Sequence, residues 1–155
     1  DQAHLEARTM SHMSSYKTDI KLVNALEAGR PVEEDPGWDI LNEAVFAVAE
    51  EMNLDVSHTI HDYYGRAILC DWALTSPDIP RGLGVNVDRK TGEVTFISDN
   101  YGGYERIVGE IKDRIIQNYS ALCVTKALAA LNYSVEIDEV KHPIEGKKVL
   151  VRGVL

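Results

Sequence analysis

Two histidines and a carboxylate lie close together in the sequence, at His58, His61 and Asp62. Imidazole and carboxylate groups are common ligands of zinc and iron, so this segment is the first candidate for a metal site. It falls in a predicted strand, where residues three apart point to opposite faces, and a bulge would be needed for both histidines to bind one ion. We therefore predict structural or surface histidines and no metal or other cofactor, with His58 and His61 kept as the alternative metal ligands.

Two polar, aromatic segments are the stronger candidates for a ligand or partner site. Each combines tyrosines with charged or amide side chains at a predicted chain reversal: His61, Asp62, Tyr63, Tyr64 and Arg66 in the first, and Asp99, Asn100, Tyr101 and Tyr104 in the second. Glycines before a helix can present backbone N–H groups to an anion. The second segment has neither the Lys of a phosphate loop nor the spacing of a dinucleotide fingerprint, so we expect Asp99 or Asn100 to cap the helix instead.

No catalytic residue is predicted. Cys70 would act as a nucleophile only beside a base that lowers its pKa, and its apolar neighbours Leu69, Trp72 and Leu74 predict burial instead. The sequence lacks the Gly-x-Ser-x-Gly, His-Glu-x-x-His and paired-Cys signatures of known catalytic classes. Whether the chain is an enzyme is therefore left open.

The composition is that of a globular protein. A length of 155 residues suits one domain, and we predict a single domain over residues 10–155 preceded by a flexible extension or cloning remnant at residues 1–9. The net charge of −9 opposes binding to nucleic acid. No apolar run approaches the ~18 residues that would span a bilayer, and the two cysteines suit a reducing compartment, so we expect a soluble, cytoplasmic protein without a membrane partner.

Hydrophobic periodicity and turn residues predict the elements that must position these segments. The predicted strands cover residues 14–23, 54–62, 67–75, the two arms of a hairpin over 84–99, 133–140 and 147–154, with a loop at 76–81. One predicted helix begins at Asp35 or Asp39 and ends at Asn53, and a second covers residues 104–131. Gly92 is expected to supply the positive φ that closes the 84–99 hairpin.

These elements predict an α+β fold, a mainly antiparallel sheet with two helices packed on one face. Within the sheet, Ile68, Cys70, Trp72 and Leu74 are expected to share one face and supply much of the core. The order helix, strand, Gly turn, strand occurs twice, on either side of the central hairpin. Either a pseudo-duplication or common helix-to-strand chemistry would produce this similarity.

The start of the predicted domain resembles a known family. Its matching residues are Met10-Ser11-His12, Ser14, Lys17-Thr18 and Ile20, followed later by Tyr64-Gly65, Asp71-Trp72 and Ser98-Asp99. They resemble domain-of-unknown-function family twelve fifty-seven, a hypothetical chloroplast reading frame with cyanobacterial, bacterial, phage and plastid members, over most of residues 10–155. The resemblance brings no established activity and implies a compact cytoplasmic protein that works beside an AAA+ ATPase.

The leading hypothesis is a non-catalytic interaction or adaptor protein with a protein partner. It rests on the acidic composition, several hairpin edges that could accept a partner strand, and the lack of a catalytic constellation. The alternative is a small-ligand or metal-binding protein, enzymes included, with a site formed by residues 58–62 and 99–104. The oligomeric state is not predicted.

Overall fold

The fold combines an antiparallel sheet with two long helices. The computed structural model describes residues 13–130, 134–142 and 146–154. Its strands are β1 (Met13–Lys21), β2 (Asp55–His61), β3 (Ala67–Ser76), β4 (Ile79–Val87), β5 (Glu93–Asp99), β6 (Ser134–His142) and β7 (Gly146–Val154). Its helices are α1 (Asn24–Glu27), α2 (Pro36–Met52) and α3 (Glu105–Ala130), with a 3-10 turn (Val32–Glu34) between α1 and α2. The predicted extension at residues 1–9 and His12 lie outside the described residues.

The strands β1 to β5 form one sheet in the order β1-β5-β4-β3-β2, and each neighbouring pair is antiparallel. Strands β6 and β7 pair in a separate two-stranded sheet whose backbone approaches α3. The α+β class with an antiparallel sheet is therefore confirmed. Because the first strand pair lies in the large sheet and the last forms its own, the pseudo-duplication stays a prediction.

Both long helices bury an apolar face in the same core. Helix α2 begins at Asp35, whose Oδ1 accepts a hydrogen bond of 2.8 Å from Gly37 N, with Pro36 in the first turn. The helix ends at Asn53, which has a left-handed conformation. Leu41, Val45 and Val48 are buried as their spacing predicts, and they pack in one cluster with Ile111 and Ile115 of α3. Among the described residues, no helix is long and apolar enough to cross a membrane.

Strand β3 does not keep the alternation that its sequence predicts. Ser57 pairs with Ala73 and Thr59 pairs with Leu69, so one residue of β2 (58) opposes three of β3 (70–72) between these pairs. This bulge reverses the direction of the side chains that follow it. Trp72 and Leu74 face the helices, whereas Cys70 packs with Ile60 and Ile68 in a second cluster. The prediction that Ile68, Cys70, Trp72 and Leu74 share one face is therefore wrong.

The predicted loop at residues 76–81 is also wrong, because β3 and β4 continue to a tight turn. Ser76 pairs with Ile79, which leaves only Pro77 and Asp78 between the strands. Pro80 is tolerated because β4 begins to pair with β5 only at Leu83, so the missing N–H at Pro80 costs no bond on that side. This extension of β4 places Arg81 in the sheet.

The Asp71-Trp72 pair, one of the motifs of the family resemblance, has a structural role. Asp71 accepts two hydrogen bonds from the Arg89 guanidinium, at 2.7 and 2.9 Å, and one of 2.8 Å from Val87 N. Trp72 Nε1 donates to Asn42 Oδ1 at 2.8 Å. These contacts tie β3 to the β4–β5 hairpin and to α2, so the pair stabilises the packing of the sheet against the helix.

Candidate functional site

The β2–β3 turn reaches the end of β5 and brings the two predicted segments together. The bulge in β3 bends this hairpin, because it adds residues to one strand only. At its tip, Tyr63 N donates a hydrogen bond of 2.6 Å to Asp99 Oδ2. Asp99 is the last residue of β5, and its Oδ1 accepts a bond of 3.0 Å from Tyr101 N. One carboxylate therefore fixes both segments.

A second carboxylate holds the turn itself. Asp62 Oδ1 accepts hydrogen bonds of 2.9 Å from both Tyr64 N and Arg66 N, and Oδ2 accepts one of 2.7 Å from Arg66 Nε. Gly65 has a φ of +79°, as the closing residue of this turn requires. Asp62 and Asp99 are each 3% exposed, so the acidic groups of the site lie beneath its surface and serve to shape the backbone.

Above these carboxylates, tyrosine rings and guanidinium groups pack on one another. The Tyr63 ring lies 5.3 Å from the Tyr64 ring and 4.6 Å from the Tyr101 ring, both in edge-on contact. The Arg66 guanidinium lies 5.6 Å from the Tyr64 ring. We call the surface formed by Tyr63, Tyr64, Arg66, Arg81, Tyr101 and Tyr104 the tyrosine cap.

Arg81 joins the cap from below. Its guanidinium lies 5.7 Å from the Tyr63 ring centre and 4.9 Å from that of Tyr104. Its Nη2 donates a hydrogen bond to the Tyr101 carbonyl. Sequence reasoning missed Arg81 because it placed the residue in a loop. The signal that could have found it is the alternation of Ile79, Arg81 and Leu83, which continues the strand towards the sheet end.

A buried amide network supports the second segment. Ser98 Oγ donates to Asn100 Oδ1 at 2.7 Å, and Asn100 Nδ2 donates to the Tyr16 hydroxyl at 2.5 Å. The Asn100 carbonyl accepts bonds from Gly103 N and Tyr104 N, at 3.3 and 3.4 Å. Neither the Asp99 nor the Asn100 side chain caps α3, so that prediction is wrong: the carboxylate is occupied by the tip of the β2–β3 hairpin and the amide by the core of the sheet.

His58 and His61, the alternative metal ligands, are not part of the tyrosine cap. His58 Nδ1 donates to the Asp71 carbonyl at 2.8 Å, within the bulged part of the hairpin. His58 and His61 are both exposed. Among the described residues, no three His, Cys, Asp or Glu side chains lie together as a metal site would require. The chemistry of the cap is therefore that of aromatic rings and guanidinium groups.

Cys70 packs against the sheet backbone beneath Gly84. A Cβ on Gly84 would lie 2.4 Å from Cys70 Sγ, which shows how closely the thiol fills this space. Burial raises the pKa of the Cys70 thiol to about 11, so almost no thiolate is present at neutral pH. The predicted packing role of Cys70 agrees with these surroundings.

Acid is expected to weaken the turn through Asp62. Burial acts to raise the pKa of this carboxyl, but the hydrogen bonds from Arg66 and Tyr64 outweigh it and hold the pKa below its usual 3.8. A carboxyl whose pKa is lower in the folded state than in the unfolded state stabilises the fold fully at any pH above its unfolded-state pKa. This stabilisation is lost as the pH falls through the folded-state pKa. Urea unfolding of the unaltered chain and Asp62→Asn should therefore differ most near neutral pH and converge below pH 3.8. An equal difference at both ends of the pH series would contradict this assignment.

Comparison with protein-family models found no match, and neither the curated proteins nor the solved structures compared with the chain gave one.

Proposed function

We propose that the chain is a non-catalytic interaction or adaptor protein that binds a protein partner through the tyrosine cap. The observation that carries the proposal is the exposure of three adjacent tyrosines on a fixed backbone. Tyr63, Tyr64 and Tyr101 are 49%, 55% and 48% exposed. Large aromatic side chains in this state retain apolar area that a partner can still bury.

The composition of the cap supports a protein partner. Tyrosine and arginine, together with tryptophan, are enriched among the residues that dominate binding energy at protein interfaces. The rings lose little side-chain entropy on binding because Tyr63 already packs edge-on against both Tyr64 and Tyr101. The hydrogen bonds of Asp62 and Asp99 fix the backbone beneath them. Such a preorganised surface pays a smaller ordering cost when a partner binds.

The charges that reach the surface of the cap are cationic, although the whole chain is acidic. Arg66 has 51% of its side chain exposed, whereas its partner Asp62 has 3%. A partner surface that carries carboxylates beside apolar groups would complement this arrangement. The resemblance to family twelve fifty-seven implies an AAA+ ATPase, which is therefore the first partner to test. We place this interaction in the cytoplasm, in keeping with the free thiols of Cys70 and Cys123.

The proposal is tested by removing the three exposed rings together. The unaltered chain, immobilised and exposed to lysate from the cells that make it, is expected to retain a partner that mass spectrometry identifies. The affinity of that purified partner should then be at least about tenfold lower for the triple variant, which combines Tyr63→Ala, Tyr64→Ala and Tyr101→Ala. Loss of a central aromatic contact costs well over about 1 kcal/mol of binding free energy. Calorimetric titration of the partner into each chain provides the measurement.

The matched control is Val124→Ala, which removes an exposed apolar side chain from α3, outside the cap. This variant should bind the partner as the unaltered chain does. Two results would overturn the proposal: no protein retained in stoichiometric amount by the unaltered chain, or equal affinity in the triple variant. Circular dichroism of the triple variant separates a lost contact from a lost fold.

A further inference from the structure

A second exposed surface lies on the outer side of α2, distinct from the tyrosine cap. Glu43, Phe46, Ala47 and Glu50 have helical spacing and lie opposite the buried Leu41, Val45 and Val48. The chain leaves α2 at the left-handed Asn53, and Leu54, Asp55 and Val56 then form the facing wall. Between them lies an open groove of about 500 Å³, which we call the α2–β2 groove.

The floor of this groove is apolar and incompletely covered. Phe46 is 51% exposed, although it lies in the middle of a long helix. Leu54 and Val56 are half-buried and pack against the core from the β2 side. A phenylalanine ring that lines a concave surface beside two aliphatic side chains can receive one apolar side chain of a partner.

The rim of the groove is acidic. Glu43, Glu50 and Asp55 all line it. Within the described residues, Glu43 has an ion pair of 3.6 Å with Lys126, whereas Glu50 and Asp55 have no cation within ion-pair distance. The Glu43–Lys126 pair is more than half exposed on both sides, so it neutralises the rim only weakly. The local field therefore attracts cations.

We propose that the α2–β2 groove binds a basic peptide segment of a partner protein, with an apolar side chain on Phe46 and flanking Lys or Arg residues on Glu50 and Asp55. An open groove would bury too little of a small ligand, whereas a peptide can extend along it. The net charge of −9 disfavours a second copy of the chain as the occupant, because two such molecules repel each other. Charge complementarity thus selects the basic peptide.

The probe for this site is a short fluorescent peptide with a leucine flanked on each side by two lysines, measured by fluorescence anisotropy. The affinity of each single variant, Phe46→Ser and Glu50→Lys, for the peptide should be about tenfold lower than that of the unaltered chain. The affinity of the unaltered chain should also fall as salt is added. Two controls match these changes. Leu69→Ser removes an exposed apolar side chain from β3, and Glu27→Lys reverses an exposed charge in α1; neither residue lines the groove.

The competing occupants give distinct results. No anisotropy change at millimolar peptide would overturn the proposal, as would equal binding of a peptide with glutamates in place of its lysines. A dimer in sedimentation that Phe46→Ser dissociates would assign the groove to a second copy instead. The tyrosine-cap variant should bind the probe normally, so failure at either surface leaves the other result interpretable.

Discussion

Replacement of Asp99 with Ala is expected to lower the free energy of unfolding by about 3 kcal/mol and to abolish partner binding at the tyrosine cap. The carboxylate accepts hydrogen bonds from Tyr63 N and Tyr101 N while being almost completely buried. Alanine would remove the buried carboxylate to which both N–H groups donate. The two segments would then lose the contact that aligns their rings.

The stability change is measured by urea unfolding, and the local change by hydrogen exchange of the Tyr63 and Tyr101 amides, which should accelerate in Asp99→Ala. Asp99→Asn keeps one acceptor oxygen and should lose less stability. Asp113→Ala, an exposed change on α3, is the matched control and should alter neither measurement. Unchanged exchange at both amides in Asp99→Ala would show that the carboxylate does not hold the cap.

The fold was predictable wherever a local sequence pattern is compatible with only one type of secondary structure. The alternation in β1 and β5, the apolar spacing of Leu41, Val45 and Val48, and the turn chemistry at Gly92 all predict what the structure contains. Strand β3 was not predictable in the same way, because the Cys70 bulge depends on the register with β2 and leaves no mark in the alternation of apolar residues. The start of β4 was missed for a related reason. A proline at residue 80 is compatible with a strand only because β5 ends before it could pair there, and the sequence does not show where β5 ends.

The candidate site was predictable in its residues and only partly in its assembly. Tyrosines combined with charged or amide side chains at two chain reversals identified both segments, since local composition marks exposed turns. The contact between Tyr63 N and Asp99 Oδ2 joins residues 36 apart in sequence, and it follows from the bend of the β2–β3 hairpin. Arg81 enters the cap only because β4 extends past β5. Long-range geometry therefore explains why the Asp99 carboxylate joins the two segments and does not cap α3.

The other large effect is expected at Gly92, where replacement with Ala should lower the free energy of unfolding by about 4 kcal/mol. Gly92 has a φ of +74° and closes the β4–β5 hairpin, with its N–H donating to the Asp88 carbonyl at 2.9 Å. A Cβ at this position would lie 2.2 Å from the Leu22 carbonyl oxygen. Leu22 is a buried core residue whose N–H donates to the Gly92 carbonyl at 2.8 Å, so the clash would separate the end of β1 from β5.

Gly29→Ala is the control that divides the Gly92 effect into its two physical causes. Gly29 has a φ of +72°, almost the same as that of Gly92, but a Cβ there would meet nothing within 4 Å. Its replacement should therefore cost only the left-handed strain of about 1 kcal/mol. Urea unfolding of both variants gives the steric contribution as their difference. Equal losses in Gly29→Ala and Gly92→Ala would mean that backbone conformation alone selects glycine at residue 92, and that the β1–β5 junction can yield to a methyl group.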